Sequence, residues 1–200
     1  MPSGLILAGY ILMIGGACGL FLFRSWIRML TALAVQSLGF GLVALQISSP
    51  PIAVAKILAG WIAVSLLGVT VMRDTRPFRD EDSRPISSIF RFSLLLFLFS
   101  SIVSLLPQLS GVFRDPPRGI AFAACFLIGA GLVNIGLAEP PLRAAISLLT
   151  IFQGFELGYL WIEQSLLVLA LLAATDLATI LILVIHHSFA PPSAKDRALP

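Results

Sequence analysis

Seven apolar runs, 4–23, 25–47, 51–72, 89–107, 119–138, 141–162 and 165–186, take up most of a 200-residue chain. Each has the roughly 17–25 residues needed to cross a hydrocarbon core about 30 Å thick. Inside such a core every backbone N–H and C=O must be satisfied within the protein, which leaves helices or a closed barrel. A barrel requires alternating segments of about 10 residues, and these runs do not alternate. The pattern therefore predicts an all-α integral membrane protein with seven transmembrane helices. Composition agrees, with 58% hydrophobic and 12% charged residues against roughly 45–50% and 25% in soluble domains.

Breaks between the runs are marked by residues that suit helix ends. Pro50-Pro51 and Pro140-Pro141 stand at starts, where a missing N–H costs little, and Pro107, Pro116 and Pro117 bracket the connection after helix four. The longest polar stretch, RDTRPFRDEDSRPISS at 73–88, is too short for a folded domain and reads as a solvated connection, either with a docking role or as a plain linker. GGAC at 15–18 resembles a lipoprotein cleavage box, but no basic residue precedes the apolar run, so 4–23 is expected to be a retained helix.

The net charge of +3 suggests an anionic partner only until its sources are mapped. Arg24, Arg28, Arg73, Arg76, Arg79, Arg84, Arg91, Arg143, Lys195 and Arg197 fall on one side of the predicted helices, and Arg114 and Arg118 on the other. The positive-inside rule then predicts a multi-pass protein of the cell membrane with its N-terminus outside and C-terminus cytoplasmic. No exposed segment interleaves aromatic and basic residues as a nucleic-acid platform does. Cys18 and Cys125 each lie in an apolar run and read as inert thiols. His186-His187 has no acid or cysteine nearby and is a poor metal site, while Glu139 and Glu163 read as solvated helix ends. Nothing has the surroundings of a nucleophile or a phosphate cradle, and the loops are too short to hold a cofactor.

Among the polar residues inside the apolar runs, Gln36, Lys56, Gln153, Glu156 and Asp176 are the candidates for function. A shift of 120 lays Gln36 on Glu156 and Lys56 on Asp176. The chain then divides into a first three-helix unit at 1–72, a connecting region at 73–118 containing helix four, a second three-helix unit at 119–187, and a tail at 188–200. Both units enter the membrane from the same side, so the repeats are parallel. A rise of 1.5 Å per residue puts Glu156 about 21 Å, Asp176 about 16 Å, Gln36 about 16 Å and Lys56 about 24 Å from the cytoplasmic side. All four are expected near mid-membrane. A charge there costs at least about 2.5–3.5 kcal/mol, so such groups face the bundle interior and pair, hydrate or neutralise. Glu156, Asp176 and Lys56 are thus candidates to exchange protons, with Gln36 and Gln153 as polar links. The competing reading makes all five interhelical glue, with Gly154, Gly158, Ala174, Ala178 and Thr179 allowing close approach.

GFELGYLW at 154–161 and LLAATDLATILILVI at 171–185 resemble the second and third helices of subunit K, or chain 4L, of respiratory complex I. That family carries G-L-E in one helix and A-E in the next. The resemblance implies that Glu156 and Asp176 take the places of two intramembrane glutamates that pass protons between antiporter-like subunits. The longer architecture, with an extra three-helix unit, Lys56 in helix three and Ala174-Thr175-Asp176 before the last apolar run, resembles component E of hydrogenase-4 and formate hydrogenlyase membrane arms. It implies a non-catalytic subunit that binds no cofactor itself, with partner subunits carrying Fe–S centres and either Ni–Fe centres or quinone. The chain departs from the family at Gly154-Phe155-Glu156-Leu157, where hydrogenase relatives often have M-E-N-G. Asp176 replaces a glutamate of the complex I subunit and reaches about 1.5 Å less far, a gap that one bridging water fills.

Overall fold

The computed structural model describes residues 3–23, 25–73, 88–109, 117–137, 141–163 and 165–189. Most of the 73–88 stretch, Arg114, Pro116, Glu139 and the tail beyond Phe189 lie outside the described residues, and with them much of the charge pattern that predicts orientation. The described chain forms seven helices and no strand: α1 Ser3–Leu22, α2 Trp26–Ile47, α3 Pro50–Arg73, α4 Ser88–Leu109, α5 Arg118–Gly136, α6 Pro141–Ile162 and α7 Leu166–Phe189. The first six are long and apolar enough to cross a membrane; in α7 the apolar stretch is Ala170–Ile182. Prolines open α3 and α6 as their sequence positions predict. Pro107 does not end α4 but lies in its last turn, where one lost backbone hydrogen bond is tolerated.

Helices α1 and α2 form one close hairpin and α5 and α6 another. The two associate through α1 against α5 and α2 against α6, while α3 and α7 pack together beside α2 and α6. One buried cluster, including Met13, Phe40, Val43, Phe126, Leu127 and Leu157, joins the hairpins. A second, including Met29, Leu33, Leu67, Ile146 and Ile180, joins α2 and α6 to α3 and α7. Helix α4 rests on α5 and α1. It is held by Phe99 edge-on to Phe122 with ring centroids 5.2 Å apart, and by Arg91, which donates to the Phe21 carbonyl at 3.3 Å at the end of α1.

Close backbone contacts reveal the true register of the repeat. A Cβ on Gly16 would meet the Ala32 carbonyl at 2.8 Å and the Gln36 amide nitrogen at 2.8 Å; one on Gly131 would meet the Ser147 carbonyl at 2.7 Å and the Ile151 nitrogen at 3.1 Å. Likewise Gly39 lies against the Gly9 carbonyl and the Met13 nitrogen, and Gly154 against the Ala124 carbonyl and the Ile128 nitrogen. Every member of the second set is 115 residues beyond its partner in the first, as are the starts of α5 and α6 relative to α1 and α2. For α3 and α7 the offset is 116. The shift of 120 drawn from the polar residues is therefore about one turn out. Helix crossing depends on where backbones touch and a side chain is forbidden, and the polar residues are no part of that constraint. At the structural register Lys56 corresponds to Leu172, Glu156 to Gly41, Gln36 to Ile151 and Asp176 to Gly60.

Candidate functional site: a buried polar cluster between the two halves

All five polar residues predicted from the sequence meet among α2, α3, α6 and α7. Lys56, in α3, donates from Nζ to Glu156 Oε1 of α6, and its Nζ is 3.7 Å from Asp176 Oδ2 of α7. The side chains are 6%, 1% and 15% exposed, respectively. Beside them Gln36 Nε2 of α2 donates to Gln153 Oε1 of α6 at 2.8 Å. Gln153 Nε2 in turn donates to Ser37 Oγ at 3.1 Å, and the Ser37 hydroxyl donates to the Leu33 carbonyl at 3.0 Å.

Local sequence explains how the helices deliver these groups. Gln153 and Glu156 are three residues apart on α6 and so share a face. Gly154 turns the adjoining surface of α6 against α5, where its lack of a side chain lets the backbones touch. Gly16 presses α1 onto the backbone of Gln36 and fixes that residue's place on α2. On α3, Gly60 lies directly over Ser37, whose Oγ a Cβ there would meet at 2.6 Å. Of the small residues expected to admit a close neighbour, Gly154 does so, Gly158 makes an ordinary 3.9 Å contact, and Ala174 and Ala178 are exposed instead. Helix α7 turns Asp176 and Ile180 inward, which leaves those alanines on its outer face.

Ser37 is the member that sequence reading missed. A hydroxyl in a helix satisfies itself on the carbonyl four residues back, so it looks neutral in an apolar run. Its position beside Gln36 was the available signal.

Two carboxylates and one ammonium carry a formal charge of −1, with no second cation in contact among the described residues. Lys56 touches one acid and lies one short displacement from the other, so the cluster has two possible ion pairs for one cation. The Gln36, Gln153 and Ser37 side chains add hydrogen bonds without adding charge.

Among the described residues no three His, Cys, Asp or Glu side chains come together as a metal site would require. Cys18 and Cys125 are free, half-buried thiols. Searched against family models, curated proteins and solved structures, the chain matches none.

Proposed function

We propose that this chain is a non-catalytic membrane-arm subunit of a redox-driven proton or sodium pump related to complex I, of the hydrogenase-4 or formate hydrogenlyase kind. In this reading all seven helices span the cell membrane, with the N-terminus outside and the C-terminus in the cytoplasm. Glu156 and Asp176 are the relay carboxyls, and Lys56 is their charge partner or a relay base. Antiporter-like partner subunits deliver and receive the protons, and other partners hold the Fe–S centres with Ni–Fe centres or quinone.

The observation that carries the reading is the meeting of Lys56, Glu156 and Asp176 from three helices in both halves of the chain, deep in the bundle. Burying three ionisable groups is costly, and groups retained at that cost in a membrane are commonly ion pathways. The test is proton pumping by the assembled complex carrying Glu156→Gln or Asp176→Asn. Unchanged pumping in both variants refutes the relay. Proteins that co-purify in mild detergent identify the host: nickel ligands beside Fe–S cysteines indicate a hydrogenase, and a quinone site without them a respiratory dehydrogenase.

A second reading, a scaffold that fills a gap between partner subunits, is favoured by the uncharged bonds from Gln36 to Gln153 and from Gln153 to Ser37, which tie α2 to α6 without any titratable group. It predicts that the same two substitutions weaken assembly while whatever complex forms pumps normally.

A further inference from the structure

A small cavity of about 10 Å³ adjoins the cluster, its walls including Ser37, Gly60, Ala63, Gln153 and Asp176. At the structural register Gly60 occupies on α3 the position that Asp176 occupies on α7. Gly60 and Asp176 both line the cavity, so the missing side chain on α3 leaves room beside the acid on α7. A space of this size accepts one water when about three polar partners surround it.

Three side chains on its wall have hydrogen-bonding capacity to spare. Asp176 Oδ1 is buried and has no partner among the described residues. Ser37 Oγ donates to Leu33 and accepts from Gln153, which leaves one lone pair. Gln153 Nε2 uses one of its two hydrogens on Ser37, which leaves the other. Glu156 differs from Asp176 in each respect: it is 1% exposed, it is in direct contact with Lys56, and it does not line the cavity.

We propose that this cavity binds one water molecule, held by Asp176, Ser37 and Gln153, and that Asp176 rather than Glu156 is the port through which the cluster exchanges protons. With Asp176 ionised, the water donates to Oδ1 and to the Ser37 lone pair and accepts from Gln153; with Oδ1 protonated, its O–H donates to the water's second lone pair while the water keeps its bond to Ser37. When Asp176 gives up its proton, the carboxyl O–H bond breaks and a bond to the water oxygen forms, leaving a carboxylate beside a hydronium of opposite charge. Lys56 stays on Glu156 throughout this step. The binding of water stands by itself; the port deepens the relay reading and rests on it.

The test uses the full chain in lipid nanodiscs, with radiolytic hydroxyl labelling in heavy-oxygen water read by peptide mass spectrometry. Leu33 and Leu149, which also line the cavity, are expected to label several-fold faster than the fully buried Leu127 and Leu157. Ala63→Val fills the space, Ser37→Ala removes a partner, and each should lower labelling toward that of the controls. The water is overturned if Leu33 and Leu149 label no faster than the controls, or if both variants label like the wild type.

In the assembled complex, the two variants should slow proton transfer several-fold while Lys56, Glu156 and Asp176 remain in place. Loss of labelling with unchanged transfer overturns the port and leaves the relay standing. The relay falls only if Glu156→Gln and Asp176→Asn are also without effect. Should Ala63→Val fail to fold, Ser37→Ala decides both arms.

Discussion

Lys56→Met isolates the role of the single cation. The substitution keeps an unbranched stem of similar length and deletes the ammonium, which leaves Glu156 and Asp176, 1% and 15% exposed, as neighbouring acids with no counter-charge in contact among the described residues. Removing one partner of a buried pair typically costs about 3–5 kcal/mol, most of it the penalty of the orphaned charge. The near-total burial of Lys56 and Glu156 places this pair at that scale. Asp176→Asn should behave differently, because it leaves the Lys56 contact with Glu156 intact and removes the surplus negative charge. Its cost should stay near the roughly 1 kcal/mol of an average substitution. In Lys56→Met/Glu156→Gln no ammonium is missing from Glu156, so the double variant should recover about 0.5–3 kcal/mol relative to the sum of the singles. Reversible unfolding in mixed micelles, followed by helicity, measures these three variants and Glu156→Gln alone. If Lys56→Met costs no more than Asp176→Asn, or if the singles add in the double, Lys56 does not neutralise the cluster and the argument from charge balance fails.

The glycine contacts make a sharper structural forecast. Gly39→Ala and Gly154→Ala place a methyl against backbone that cannot swing aside, so each should cost about 1–3 kcal/mol, whereas Gly15→Ala, with nothing within 4 Å, should be near neutral in the same unfolding measurement. Gln36→Leu removes the donor to Gln153 Oε1. Polar contacts between helices in membranes average about 0.6 kcal/mol and reach about 1.7, so this variant should lose an amount in that range and remain folded. A loss well above it would mean that Gln36 supports more than one hydrogen bond.

The membrane class, the seven helices, and the five polar residues of the cluster were all legible in the sequence. The cost of burying backbone and charge in hydrocarbon acts on each segment separately, so run length and an isolated Lys56 or Glu156 announce themselves without knowledge of neighbours. What those residues do to one another was not legible. Depth counting set Lys56 and Asp176 at different heights. Whether an ammonium bridges two acids depends on side-chain reach and helix rotation, which only the packed bundle fixes.

The repeat shows the same division. Sequence suggested two parallel three-helix units, but the polar residues offered an alignment one turn away from the register at which Gly16 and Gly131, or Gly39 and Gly154, meet their partner backbones. The cavity beneath Gly60 could not be read at all, and Ser37 offered only its place beside Gln36, because a self-satisfied hydroxyl and an absent side chain say little until another helix lies across them. The sequence by itself determined that this chain lives among apolar neighbours and keeps Gln36, Lys56, Gln153, Glu156 and Asp176 in their midst. The tertiary structure decided that the lysine of one half meets both acids of the other. That follows from helix register, a property of contacts between segments far apart in the chain.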